Sequence, residues 1–160
     1  MLIEFSVSNF RSFRDRQTLS MAASPLLSKS RNTFKASTNA EELPELLKVA
    51  AIYGPNASGK SSLIRAMGIV GSLLAIPVDT LDAALPVSAF RFDETLKDEP
   101  SAFEYDFVQG GLRYRFVLGL TAQRIVHEQL LCFPQGKETL LYKRQVDAQG
   151  EHYLFGETLE

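Results

Sequence analysis

The residues with the clearest chemistry form one eight-residue run, Gly54-Pro55-Asn56-Ala57-Ser58-Gly59-Lys60-Ser61, which fits the pattern G-x-x-x-x-G-K-[ST]. Glycines at both ends let the backbone curl, so that successive N–H groups point inward at an anion. Lys60 adds a mobile positive charge for the β- and γ-phosphates, and the Ser61 hydroxyl is a hard oxygen ligand suited to Mg²⁺. The run therefore predicts a phosphate-binding loop that takes a nucleotide triphosphate, with ATP and magnesium as the expected ligands.

Such a loop must be positioned by a strand on one side and a helix on the other. Val49 to Tyr53 is continuously apolar, which predicts a strand buried on both faces of a parallel sheet. After the loop, apolar residues recur at helical spacing from Lys60 to about Leu74, and Pro77 is expected to end that helix. A helix that starts at Lys60 adds its unpaired N–H groups and partial positive charge to the phosphate site.

Three other functions fit the sequence less well. No N-K-x-D string accompanies the loop, which argues against a GTPase. His127-Glu128 begins a zinc-protease string, but Leu131 occupies the position of the second histidine. A small-molecule kinase is disfavoured because a long section precedes the loop and no arginine-rich lid follows the helix.

Bulk composition indicates a globular protein without a strongly basic surface. The chain has 160 residues, 45% of them hydrophobic, and a formal net charge of -2. That balance argues against a dedicated nucleic-acid module, although residues 1–35 carry a local excess of positive charge. Cys132 lies in an apolar run and is expected to pack as a small hydrophobe. No signal peptide or membrane span is visible, so the sequence predicts a cytoplasmic protein without membrane contact.

The second half of the chain predicts antiparallel strands. Phe103, Tyr105 and Phe107 alternate with acidic residues, a Gly110-Gly111 turn follows, and Leu112 to Leu118 returns as a hairpin partner. Further strands are expected over 124–133, 138–144 and 152–155. At the N-terminus, Ile3, Phe5 and Val7 alternate with polar residues and predict a half-buried strand; a second is expected within 17–23. Residues 24–45 are predicted to be a mobile connection.

Met1 to Phe13 (MLIEFSVSNFRSF) and the loop wording Gly-Pro-Asn-Ala-Ser-Gly-Lys-Ser together resemble the ATPase heads of ABC-type proteins, including the DNA-repair, structural-maintenance and overcoming-lysogenization-defect groups. The AAA15-type bacterial ATPases are the most similar group, and several of those resemble phage-defence components. The stretch Pro100 to Glu104, then Tyr114, then Glu128-Gln129-Leu130 is also similar to theirs. The resemblance extends over nearly the whole chain.

This resemblance implies an α/β, P-loop NTPase lobe with an attached antiparallel β-subdomain. It places Arg11 near the nucleotide, Gly54 to Ser61 on the phosphates, Ser62 as a further phosphate contact, and Ser61 on Mg²⁺. It also implies a partner, as a homodimer of heads or a C-terminal lobe, and by analogy DNA and an effector protein.

One departure from that family limits the prediction. Its heads also use a Walker B Asp-Glu pair and a Ser-Gly-rich signature, and no convincing match to either is found, so no catalytic base can be named. The expectation is an N-terminal part, 1–160, of one ATPase domain, with a P-loop core over 1–85 and the β-subdomain over 86–160. Such a part should bind ATP with little turnover and be marginally stable or self-associating alone. The alternative is a non-catalytic nucleotide-binding or assembly module that acts through protein partners.

Overall fold

The computed structural model describes residues 1–26, 30–38, 42–74 and 84–157, and its main feature is one seven-stranded antiparallel sheet. In chain order the strands are β1 (Leu2–Ser8), β2 (Gln17–Ser20), β3 (Thr33–Phe34), β4 (Leu46–Leu47), β5 (Ser101–Gln109), β6 (Leu112–Leu120), β7 (Ile125–Cys132), β8 (Thr139–Asp147) and β9 (Gly150–Phe155). Between β4 and β5 the described residues form the α-helices α1 (Lys60–Met67) and α2 (Ile69–Leu74) and a short 3-10 helix, Glu94–Leu96. The large sheet has the order β2-β1-β5-β6-β7-β8-β9, and β3 pairs with β4 separately.

The antiparallel second half confirms the prediction from alternation. β5 and β6 form a hairpin through Gly110 and Gly111, both in the left-handed region, and the remaining strands follow as a meander. Alternation of apolar and polar residues predicts strands correctly here, because successive side chains of a strand point to opposite faces of the sheet. β1 and β2 precede the predicted boundary at 85/86 but belong to this same sheet, since β1 pairs with β5 on one side and with β2 on the other. The two-part division of the domain remains a prediction.

Both helices cover one face of this sheet. Ala66 and Ile69 are buried against a cluster formed by β1, β5 and β6, with Phe5, Phe103 and Leu118 at its centre. The predicted helix from Lys60 to Leu74 is present as two segments, because Gly68 interrupts it with a turn. A mainly antiparallel sheet with two helices is compatible with the predicted α/β class.

Ile3 does not share the face of Phe5 and Val7, as the simple alternation had predicted. Between Leu2 and Glu4 the register against β5 shifts by a β-bulge. The extra residue turns Ile3 to the opposite face, where it packs with Leu46 and Val108 in a small second cluster. Phe5 and Val7 remain in the main core, as predicted.

Val49 to Tyr53 is not a buried strand, which corrects the prediction made from its apolar run. Only Leu46–Leu47 is extended and paired, and Tyr53 is 93% exposed. A strand of this kind needs parallel neighbours and cover on both faces. Every strand pair in the described residues is antiparallel, and none involves Val49 to Tyr53.

Several smaller predictions can also be compared with the structure. Cys132 is buried, as predicted, and burial raises the pKa of its thiol. The predicted connection over 24–45 contains β3 and a short 3-10 helix, Ser30–Asn32. Pro77, the expected end of the helix, lies outside the described residues. Within the described ranges, no helix is long and apolar enough to cross a membrane.

Candidate nucleotide-binding site

The predicted phosphate loop occupies residues 54–59 and leads directly into α1 at Lys60. Ala57 and Gly59 both have left-handed backbones, with φ of 64° and 92°. Left-handed residues in a tight turn aim neighbouring N–H groups at a common point, the arrangement that binds anions. A Cβ on Gly54 would lie 3.0 Å from Ser58 Oγ, so the serine side chain would have to shift to admit it.

The loop and the first turn of α1 present a set of unpaired N–H donors. In the described part of the chain, Ser58 N–H reaches the Pro55 carbonyl at 3.4 Å. Several nearby N–H groups have no acceptor among the described residues, including those of Ala57, Gly59, Lys60 and Ser61. Since unpaired N–H groups at a helix start attract anions, these donors have the chemistry that phosphate oxygens require.

Lys60 lies folded over the loop that precedes it. Its ammonium donates to the carbonyls of Gly54 at 2.8 Å and Pro55 at 2.7 Å, and to Ser58 Oγ at 3.4 Å. These three contacts use all three ammonium protons. The contact to Ser58 is the longest of the three, so it is the one that Lys60 would exchange most easily for another acceptor.

Ser61 and Ser62 follow on the first turn of α1. The Ser61 side chain is exposed and its hydroxyl has no partner among the described residues, so it is free to bind a cation. It shares with Lys60 an open cavity of about 530 Å³, which is lined further by Ala50, Ile52, Ile64 and Arg65. Ser62 is half-buried.

The protein supplies only part of the ligand set that Mg²⁺ needs at this site. The Ser61 hydroxyl offers one hard oxygen ligand, of the type that Mg²⁺ shares with nucleotide phosphates and water. In the ranges that the structure describes, no group of three or more His, Cys, Asp or Glu side chains could hold a metal ion. Ser61 would therefore hold the ion together with the phosphates of the bound nucleotide.

A turn at the end of β1 packs against the loop. A Cβ placed on Gly59 would lie 3.2 Å from Ser12 Oγ and 3.3 Å from Phe13 Cε1, closer than ordinary contact, and the left-handed backbone also favours glycine here. Arg11 belongs to the same turn: its backbone is left-handed, its side chain is exposed and its guanidinium lies 5.8 Å from the Phe10 ring centre. Its role near the nucleotide remains a prediction.

Asn9 holds this turn in place, and sequence reasoning did not identify it. Its buried amide donates to the carbonyls of Leu96 at 2.9 Å and Glu99 at 2.8 Å, and accepts from Phe90 N–H at 3.0 Å. The Ser101 hydroxyl donates to the Asn9 carbonyl at 2.5 Å. Ser12 and Phe13 were also missed as loop contacts, although they lie in the N-F-R-S-F string.

A second set of contacts joins the turn to the same segment. Arg11 N–H donates to the Ser88 carbonyl at 2.8 Å, and the Arg14 guanidinium binds Asp93 at 2.8 and 3.0 Å. Hydrogen bonds from Thr95 and Arg14 lower the pKa of the Asp93 carboxyl. The segment from 88 to 101 thus fixes the turn that touches Gly59.

One protein-family model matches the part of the chain that contains this loop. The model described as "AAA domain, putative AbiEii toxin, Type IV TA system" matches residues 49–148, more than half of the chain. That range begins just before the phosphate loop and runs through β8, but it does not include the turn that carries Arg11. A search of curated proteins found no match. On the strength of that match, the chain belongs to this AAA-domain family, one of the P-loop ATPase type whose members generally use ATP and Mg²⁺.

Proposed function

We propose that this chain binds Mg-ATP through residues 54–62 and supplies the phosphate-binding half of an ATPase site of the ABC-like AAA15 kind. The observation that carries the proposal is the set of unpaired N–H donors around the loop, together with Lys60 and the free Ser61 hydroxyl. These groups bind phosphate oxygens, which all nucleotide triphosphates share. The choice of ATP rests on the family and on the missing N-K-x-D string.

Hydrolysis requires groups that the described residues do not assemble near the loop. A phosphoryl transfer needs an oriented water and a base in addition to phosphate binding. We therefore propose that turnover depends on a partner, either a second head or a C-terminal lobe, that brings those groups to Lys60 and Ser61.

The exposed apolar surface beside the loop supports such a partner. Val49, Ile52 and Tyr53 are 67%, 41% and 93% exposed, and Ile64 on α1 is 61% exposed. Exposed apolar patches of this kind mark contact surfaces. The same surface favours the second candidate, a non-catalytic nucleotide-binding module that acts through protein contacts. Turnover with the partner present separates the two candidates.

The biological process is proposed on family grounds alone. The family description names a putative AbiEii toxin and a toxin–antitoxin system, and the AAA15-type proteins that the sequence resembles include phage-defence components. We propose a role of that kind, in which the nucleotide state controls head engagement and an effector protein. DNA is a further proposed ligand by analogy with the DNA-repair heads.

The direct test is calorimetric binding of Mg-ATP to the wild type, Lys60→Ala and Ser61→Ala. Losing the Lys60 ammonium should weaken binding by about 30- to 1000-fold, because it removes charge-assisted contacts to the phosphates. Ser61→Ala should mainly reduce the dependence of binding on Mg²⁺. Lys137→Ala is the matched control, because Lys137 lies on the β7–β8 connection and its removal takes away the same charge. Equal affinities for wild type and Lys60→Ala would show that the loop is not the phosphate site.

A further inference from the structure

The hydroxyl of Tyr105 joins the centre of the sheet to the far end of α1. Tyr105 lies in the middle of β5, and its hydroxyl donates to the Ala66 carbonyl at 3.1 Å and reaches the Met67 carbonyl at 3.4 Å. These carbonyls belong to the last turn of α1, where helix geometry leaves acceptors open; the Ala66 carbonyl also accepts from the N–H of the C-cap Gly68. The contact spans 39 positions of sequence, so it is a tertiary bond and not a local cap.

The surroundings of Tyr105 hold its ring in one place. The ring lies 4.8 Å from Phe5 and 6.4 Å from Phe116, centre to centre, and the side chain packs against the main core. Burial raises the pKa of the phenol to about 12. At neutral pH the hydroxyl is therefore protonated and available as a donor.

The start of α1 is fixed by a second contact from the sheet. Ser12 and Phe13, in the turn that follows β1, lie against Gly59 immediately before Lys60. α1 has eight residues, so the two contacts are roughly 12 Å apart along its axis. Two supports at this separation define the direction of the helix relative to the sheet, and with it the aim of the N–H groups at its start.

We propose that Tyr105 is a positioning residue for the phosphate loop: its hydroxyl anchors the end of α1 so that Lys60 and the free N–H groups keep a fixed geometry. A preorganised site binds more tightly, because less ordering is needed when the ligand arrives. This inference rests on the proposed nucleotide binding and adds a residue that has no contact with the nucleotide.

The test compares Tyr105→Phe with Tyr142→Phe. Tyr142 is a close control, since its hydroxyl also makes a partly buried hydrogen bond, to Glu128 at 2.5 Å. It lies on β8, which is separated from β5 by β6 and β7 in the sheet. Both variants keep the ring and lose one hydroxyl. We expect Tyr105→Phe to weaken binding of Mg-ATP and of Mg-pyrophosphate by about five-fold, the factor that corresponds to one typical hydrogen bond. Tyr142→Phe should leave both affinities unchanged, even if both variants melt at lower temperature.

The outcomes separate this inference from the proposed function. If the wild type binds, Lys60→Ala does not, and Tyr105→Phe binds like the wild type, the role of Tyr105 is refuted while nucleotide binding stands. Equal losses in both tyrosine variants would show general loosening and would also refute it. If the wild type does not bind Mg-ATP or Mg-pyrophosphate, both proposals fail.

A measurement on the unaltered protein covers the case in which Tyr105→Phe does not fold. Binding of Mg-pyrophosphate at the loop should slow amide hydrogen exchange in α1 and also in β5 around Tyr105, with no change in β8. Protection confined to residues 54–62 would overturn the inference.

Discussion

Replacing Asn9 with alanine should destabilise the protein more than most single substitutions. Asn9 is 5% exposed and has a left-handed backbone, with φ of 48°. Its amide makes two short bonds to the carbonyls of Leu96 and Glu99 and one from Phe90 N–H. Alanine keeps none of these bonds and disfavours the backbone conformation.

The magnitude follows from these contacts. Three hydrogen bonds at about 1 kcal/mol each contribute roughly 3 kcal/mol, and the partly buried Phe90 N–H loses its acceptor. A left-handed backbone adds about 1 to 2 kcal/mol for a residue that, unlike asparagine, cannot bond locally. The expected loss in the free energy of unfolding is therefore about 4 to 5 kcal/mol, a large share of the total stability of a domain.

Urea unfolding followed by far-UV circular dichroism measures this loss, because the chain has no tryptophan to serve as a fluorescent probe. Asn32→Ala is the matched control: Asn32 also bonds backbone with both amide atoms, to Val49 at 2.9 and 3.2 Å, but it is exposed. It should cost less than about 1 kcal/mol, since water replaces the lost bonds. Asn9→Asp keeps the shape but turns a second oxygen toward the carbonyls, so it should be as harmful as alanine.

Two results would refute this reasoning. If Asn9→Ala lowers the free energy of unfolding by less than about 0.5 kcal/mol, the usual range for surface substitutions, the buried bonds contribute little. A stable Asn9→Asp variant would show that the donor atoms do not matter.

Two further predictions concern acidity and the exposed apolar segment. Because hydrogen bonds from Thr95 and Arg14 lower the pKa of Asp93, its ionised form stabilises the fold above the ordinary value of 3.8, and this contribution is lost as the pH falls through the lowered pKa. The wild type should therefore melt at a higher temperature than Asp93→Asn at pH 7, and this difference in melting temperature should become smaller in acid. A difference that does not change with pH would contradict this prediction. Ile52→Ser should reduce self-association, measured by light scattering, without lowering the melting temperature, since Ile52 is 41% exposed and Val49 in the same segment is 67% exposed. A marked drop in melting temperature would mean that Ile52 belongs to a packed core.

Sequence alone predicted the features that depend on local chemistry. The phosphate loop, the start of α1 at Lys60 and the β5–β6 hairpin each follow from short-range rules of turn residues and side-chain period. The segment from Val49 to Tyr53 was mispredicted for a physical reason: an apolar run shows that a segment needs cover, but not whether covering strands are present.

The features that sequence missed depend on long-range contacts. Asn9 is bonded to residues almost 90 positions later, and Tyr105 to a helix 39 positions earlier. No periodic pattern marks either residue, because each contact depends on where the sheet places two distant segments. The bulge at Ile3 was missed for a similar reason, since it is set by the register against β5.

The position of β1 between β2 and β5 has a consequence for the order of folding. Strands β5 to β9 form successive hairpins from neighbouring segments, whereas Phe5 of β1 pairs with Tyr105, one hundred residues later. Closing a loop of that length carries an entropic cost of roughly 4 kcal/mol, so the local meander is expected to form first. The phosphate loop lies inside that long loop, and its two supports, the turn after β1 and Tyr105 on β5, come together only when the loop closes. The ability to bind a nucleotide should therefore arise late in folding, after most of the sheet has formed.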